Sequence, residues 1–151
     1  MCGILGTIGF KNKQRLNINL LAHRGPDGNG LWSSPVTEYP VHLAHSRLAI
    51  LDTSDKAKQP MFSSDGRYVL VYNGEIYNFL ELKSYLKKKG QDFLTNSDSE
   101  VFLKGLILEG PSFQLRCNGM WAFCLWDRKE KVALFGRDRF GKKPLFYSFL
   151  T

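Results

Sequence analysis

The sequence predicts an α+β fold built on mainly antiparallel sheets. Three observations predict it. Strand-like apolar runs occupy both ends of the chain, two capped helical segments lie together between them, and a short charged turn joins two of the late runs.

The first run, Cys2–Phe10, places Ile4, Ile8 and Phe10 at alternate positions, as a buried strand would. Gly3, Gly6 and Gly9 leave room for close backbone approach by a neighbouring strand or a ligand. Lys11–Asn19 is polar and reads as a loop, with a short helical turn over Leu16–Leu21. His23–Gly30 holds three glycines and a proline, the composition of a tight, shaped loop. Val41–Leu51 reads as the next strand, with Arg47 among Leu43, Ala44, Leu48 and Ile50. A cation in such company needs a partner. A protein carboxylate would serve, and so would a ligand carboxylate, which suits the guanidinium fork.

Tyr68–Tyr72 is a third strand, apolar enough for a sheet covered on both faces, and it runs into Asn73-Gly74-Glu75. Asn-Gly is a strong hairpin signal. The next segment, however, reads as a helix and not as a returning strand. Asn78 is an N-cap candidate with Glu81 three residues on, Phe79, Leu82 and Leu86 share a face, and Gly90 ends the segment. Ser97-Asp98-Ser99-Glu100 is a capping box that opens a second helix carrying Val101, Leu103, Leu106 and Ile107, stopped by Gly110-Pro111. Asp98 falls in its first turn, where the helix dipole alone is sufficient reason for a carboxylate. Met120–Trp126 and Lys131–Phe135 read as strands joined by the turn Asp127–Glu130, and Leu145–Leu150 as a last strand after the basic loop Arg137–Lys143. No internal repeat or linker interrupts the 151 residues, which are expected to form one domain.

Composition narrows the function classes. Apolar residues make up 43% and charged residues 23%, as in a soluble globular protein. The net charge of +7 admits a nucleic-acid partner, but the lysines fall in short runs such as Lys87–Lys89 and Lys142-Lys143, expected at solvated helix ends and loops. No nucleic acid and no membrane are therefore expected as partners. The Cys2–Phe10 run is too short for a signal sequence or a membrane span, so a reducing, cytoplasmic setting is expected. Cys2, Cys117 and Cys124 are too few and too irregular for a disulfide framework or a zinc site, and Cys117 and Cys124 are expected in the core.

Cys2 differs in kind. Removal of Met1, which a small second residue permits, would leave a thiol and a free α-amine on one carbon. Reference pKa values of about 8.5 and about 7.7–8.0 let such an amine take the thiol proton and return it to a leaving group.

Six motifs then recur in order: Met1–Ile4, Arg24-Gly25-Pro26-Asp27-Gly28, His45–Asp52, Asn73-Gly74-Glu75-Ile76-Tyr77-Asn78, Ser97–Glu100 and Gly136–Gly141. Together they resemble the N-terminal glutaminase domain of glutamine-hydrolysing asparagine synthetases, class II glutamine amidotransferases of the N-terminal-nucleophile type. The resemblance spans essentially the whole chain, and Arg-Gly-Pro-Asp-Gly with Asn-Gly-Glu-Ile-Tyr-Asn points to that branch over the aminosugar and purine amidotransferases. It implies a four-layer α-β-β-α sandwich of two antiparallel sheets. It also implies roles for residues at matching positions. Cys2 is the nucleophile, and the Asn73 side chain with the Gly74 N–H is the oxyanion hole. Arg47 takes the α-carboxylate of glutamine and Asp98 its α-ammonium. Glu75 and the stretch Leu48, Ala49, Ile50 and Leu51 line the pocket.

The implied partners are glutamine and a synthetase domain or subunit that receives ammonia, with a homodimer as an open option. ATP and magnesium are expected only in that partner; no metal and no cofactor are expected in this chain. Set against the family pattern, the segment before Arg24 is short, so a first helix is expected to be missing or reduced. The family's closing segment of the domain is expected beyond Thr151, and no Ser-Gly-Gly-x-Asp-Ser motif for ATP occurs. A fragment, a separate glutaminase subunit and a glutamine-binding module without catalysis all stay open on these grounds.

Overall fold

A computed structural model describes residues 2–9, 16–35 and 39–149. Among these residues, seven strands form two antiparallel sheets. The smaller has the order β1-β3-β2, from β1 (Gly3–Ile8), β2 (Gly28–Ser33) and β3 (Val41–Arg47). The larger has the order β4-β5-β6-β7, from β4 (Met61–Phe62), β5 (Tyr68–Ile76), β6 (Gly119–Asp127) and β7 (Val132–Arg137). Two helices, α1 (Phe79–Lys88) and α2 (Asp98–Glu109), cover one face of the larger sheet. The outer face of the smaller sheet carries a 3-10 helix, Ile18–Arg24, whose Leu21 packs on Gly3. This is the four-layer α+β arrangement with its first helix reduced. Among the described residues, no helix is long and apolar enough to cross a membrane.

The two-residue period of β5 explains the layering. Leu70, Tyr72 and Ile76 point to the helices and join Phe102, Phe113, Trp121 and Phe123 in the main core. Val69 and Val71 point the other way and meet Val41, Leu43, Cys124 and Trp126 between the sheets. Both faces of this strand are therefore covered, as its apolar run predicts.

The expected strands at Cys2–Phe10, Tyr68–Tyr72, Met120–Trp126 and Lys131–Phe135 are present, the last two as a hairpin. Phe10, residues 11–15 and Leu150 lie outside the described residues. Elsewhere the structure corrects the sequence expectation. Gly28 and Gly30 are not loop residues but begin β2, because β3 offers them a full antiparallel partner. β3 ends at Arg47, not Leu51, where the chain leaves the sheet to wall a cavity. Residues 145–149 form no strand, and Phe146 stands 90% exposed. Asn73-Gly74-Glu75 makes no hairpin, as the helix expected after it implies: it continues β5, paired with Ala122, Trp121 and Met120, and α1 follows.

The helix caps differ in detail. Asn78 precedes α1 but spends its side chain on Arg116 O and Asn118 N, tying the helix start to the strand that follows α2. Ser97 caps α2 by accepting from Glu100 N, whereas the Glu100 carboxylate accepts from Leu94 N, Thr95 N and Thr95 Oγ1. Half of the capping box forms, and its other half holds the loop that leads into the helix.

Candidate active site

The inter-sheet layer changes character along its length. From Val41 and Leu43 the inward positions of β3 pass to His45 and Arg47; from Val69 and Val71 those of β5 pass to Asn73 and Glu75. Cys2, ahead of inward-facing Ile4, reaches the same end from β1. Apolar filling gives way there to a cavity lined by Cys2, Arg47, Leu48, Ala49, Ile50, Leu51, Asn73, Gly74, Glu75 and Asp98. Every site residue expected from the sequence is thus brought to one place.

Its wall at 48–52 is held from several sides. Arg47 Nη2 donates to Asp52 O at 2.5 Å and Ser54 O at 3.1 Å, so the guanidinium curls the segment around itself. Asp27 Oδ2 accepts from Ala49 N at 2.8 Å, which gives the Arg-Gly-Pro-Asp-Gly motif its structural task. Asp52 accepts from Ser54 N and Asn96 N, and the Ser54 side chain, followed by these two N–H groups, holds its pKa down to about 2. The Cys2 thiol faces this wall: Leu48 N donates to Sγ at 3.3 Å, and Sγ lies 3.5 Å from Leu48 O. Cys117 and Cys124 are buried away from it, and desolvation pushes each thiol up to about 12, so both are inert.

The open edge of β5 supplies the donor. Beyond β4, Tyr72 N donates to Gln59 Oε1 at 2.6 Å and Ile76 N to Asp98 Oδ2 at 2.9 Å. Both groups point away from β6. By the strand period, the Gly74 N–H between them points along the same edge, toward the cavity. Glycine is required here because a Cβ would collide with Met120 O and the Trp121 backbone. Asp98 also accepts from Tyr72 Oη at 2.9 Å. Burial raises its pKa, opposed by the bonds from Ile76, Tyr72 and Ser99. A cation placed beside this carboxylate would be held firmly.

Among the lining residues not singled out as site residues in the sequence are two buried bases, Lys143 and His45. Lys143, expected in a solvated run, is only 3% exposed and lines the cavity. Asp138 puts it there by gathering the N–H groups of Phe140, Lys142 and Lys143 into a compact loop. Desolvation lowers the Lys143 pKa and Arg24 adds to this, while Cys2, Glu75 and Asp138 act the other way. His45, the first residue of the His45–Asp52 motif, is buried in the same wall. The signals in the sequence are weak: Lys143 lies just beyond the Gly136–Gly141 motif, and His45 lies two positions before Arg47.

A half-buried thiol, a backbone N–H beside an asparagine, a cation and a buried carboxylate thus surround one cavity of a two-sheet sandwich. The fold is shared with the glutamine phosphoribosylpyrophosphate amidotransferase of Bacillus subtilis, at a TM-score of 0.62 and 18% identity over 80% of this chain and 33% of that one. Residues 1–151 match the glutamine amidotransferase domain family, and the chain belongs to it. It is 40% identical to a putative glutamine-hydrolysing asparagine synthetase of Methanocaldococcus jannaschii, over 97% of this chain and 32% of the relative. Identity is 37% both to asparagine synthetase 3 of Bacillus subtilis and to asparagine synthetase B of Escherichia coli, with 98% and 99% of this chain covered. The chain spans only 25% and 27% of those two relatives.

Proposed function

We propose that residues 1–151 form one glutaminase domain that hydrolyses glutamine to glutamate and ammonia through a thioester on Cys2. The observation that carries this is the gathering of Cys2, Asn73-Gly74, Arg47 and Asp98 around a single cavity. Glutamine offers an anionic end, a cationic end and an amide, and these four positions answer all three.

With Met1 removed, the α-amine of Cys2 takes the thiol proton. The sulfur attacks the side-chain carbonyl, and the oxyanion is held by Asn73 and the Gly74 N–H. A donor of that kind is worth roughly 3–4 kcal/mol of barrier. Collapse breaks the C–N bond as the α-ammonium returns its proton to the departing nitrogen. Water then attacks the γ-glutamyl thioester, releasing glutamate and restoring the thiol. Leu48–Leu51 and Glu75 shape the pocket around the substrate. The step uses no cofactor. Ammonia passes to an ATP-dependent synthetase domain or subunit, where ATP and magnesium belong, and the setting is cytoplasmic.

The test is to assay the purified chain with glutamine, ATP, aspartate and magnesium. Glutamate and ammonia should accumulate without asparagine. Folded protein that makes no glutamate would turn the assignment to a glutamine-binding module; asparagine made by this chain alone would reveal an overlooked ATP site.

A further inference from the structure

His45 stands at the boundary between the apolar filling and the cavity, two residues after Leu43 and two before Arg47 on the same face of β3. It is 1% exposed. Neither Nδ1 nor Nε2 has a hydrogen-bond partner among the described residues. Burial keeps the ring neutral, taking its pKa down to about 4; the nearby Tyr72 carbonyl opposes this, and Arg47 reinforces it. A neutral imidazole has one N–H and one lone-pair nitrogen. The Tyr72 carbonyl favours the N–H on its own side, which leaves the lone pair for another donor. An apolar side chain would fill this place without leaving a buried ring nitrogen to satisfy. The wall of the cavity keeps a histidine instead.

We propose that His45 positions the substrate by accepting a hydrogen bond from the α-ammonium group of the amino acid whose carboxylate Arg47 holds. The α-ammonium and α-carboxylate share one carbon, so a group bound at Arg47 brings its ammonium beside the neighbouring inward position of β3. His45 and Asp98 then receive the cation together, Asp98 supplying the charge and His45 a directed lone pair. This role for His45 rests on glutamine being the substrate of the cavity.

The experiment compares wild type, His45→Leu and His45→Gln with two probes: glutamine as substrate, and its α-deamino analogue, 4-carbamoylbutanoate, as competitive inhibitor. His45→Leu should raise KM about tenfold, the loss of one hydrogen bond to a charged group, with kcat within about twofold. Its melting temperature should rise, because the orphaned ring is gone. The inhibition constant of the deamino analogue, which has no ammonium to offer, should not change. His45→Gln keeps an acceptor and should recover most of the lost affinity, and it stands in should the leucine variant not fold. An unchanged KM in both variants would overturn the proposal, as would an equal loss for the deamino analogue. Wild-type protein that neither binds nor hydrolyses glutamine would overturn the glutaminase reading itself.

Discussion

The two ends of the inter-sheet layer are built by the same strands in one continuous register, yet they do different work. At one end Val41, Leu43, Val69 and Val71 bring the sheets together through apolar contact. At the other, the same faces of β3 and β5 carry His45, Arg47, Asn73 and Glu75, and the sheets part around a cavity. The backbone ladder of β5 with β6 runs unbroken through both, from Tyr68↔Asp127 to Ile76↔Gly119. A site held this way is as rigid as the sheet that carries it. Its polar groups can be poorly packed because the apolar end does the holding.

Substitutions at the two ends should therefore separate activity from stability. Cys2→Ala at the polar end should remove at least about a thousandfold of glutaminase activity, as loss of a nucleophile does, with the melting temperature unchanged. Among the described residues, the Cys2 thiol makes two long sulfur contacts, both to Leu48, and their loss costs the fold little. Leu43→Ala at the apolar end should cost about 2–5 kcal/mol in denaturant unfolding while kcat per folded molecule survives. Equal behaviour of the two variants would erase the distinction.

Within the polar end, binding and turnover should separate in turn. The oxyanion exists only during reaction, so Asn73→Ala should lower kcat by about 100- to 1,000-fold with little change in KM. On the proposed assignment Arg47 meets the remote carboxylate before and during reaction, so Arg47→Ala should chiefly raise KM, by roughly thirtyfold or more. Steady-state kinetics decide between these patterns.

The boundary residue should show in acid. His45 has a folded pKa of about 4 against 6.5 unfolded. Between those values the unfolded chain binds a proton that the folded one refuses, so stability falls as pH drops from 6.5 toward 4. The full loss amounts to about 3 kcal/mol. Asp98, whose pKa burial raises, acts in the opposite direction. Urea unfolding of wild type and His45→Leu across this range isolates the histidine: the variant's curve should be flatter by that amount.

How much of the structure is legible in the sequence depends on where each residue's partner lies. Local signals serve well where the partner is nearby: Ser97 caps its own helix, and Gly110 ends it at φ 67°. They fail where the partner is distant. Gly28 and Gly30 have turn composition, but β3 pairs them into a strand, and Gln59 O lies where a Gly30 side chain would be. Asn73-Gly74 has hairpin composition, yet Met120 and Trp121 across the sheet are what require the glycine. The cavity residues are legible through ordered motifs, which carry information about three-dimensional neighbours that spacing alone lacks. Lys143 escapes because a lysine next to a lysine looks solvated, and only the Asp138 loop turns it inward.

The most direct measurement of the central claim is a crystal structure of the Cys2→Ala variant with glutamine. The polar end of the inter-sheet layer should hold the ligand with its carboxylate on Arg47, its ammonium on Asp98, and its side-chain carbonyl within reach of Asn73 and the Gly74 N–H. Glutamine bound with its amide turned away from Asn73, or seated outside this cavity in well-diffracting crystals, would contradict it.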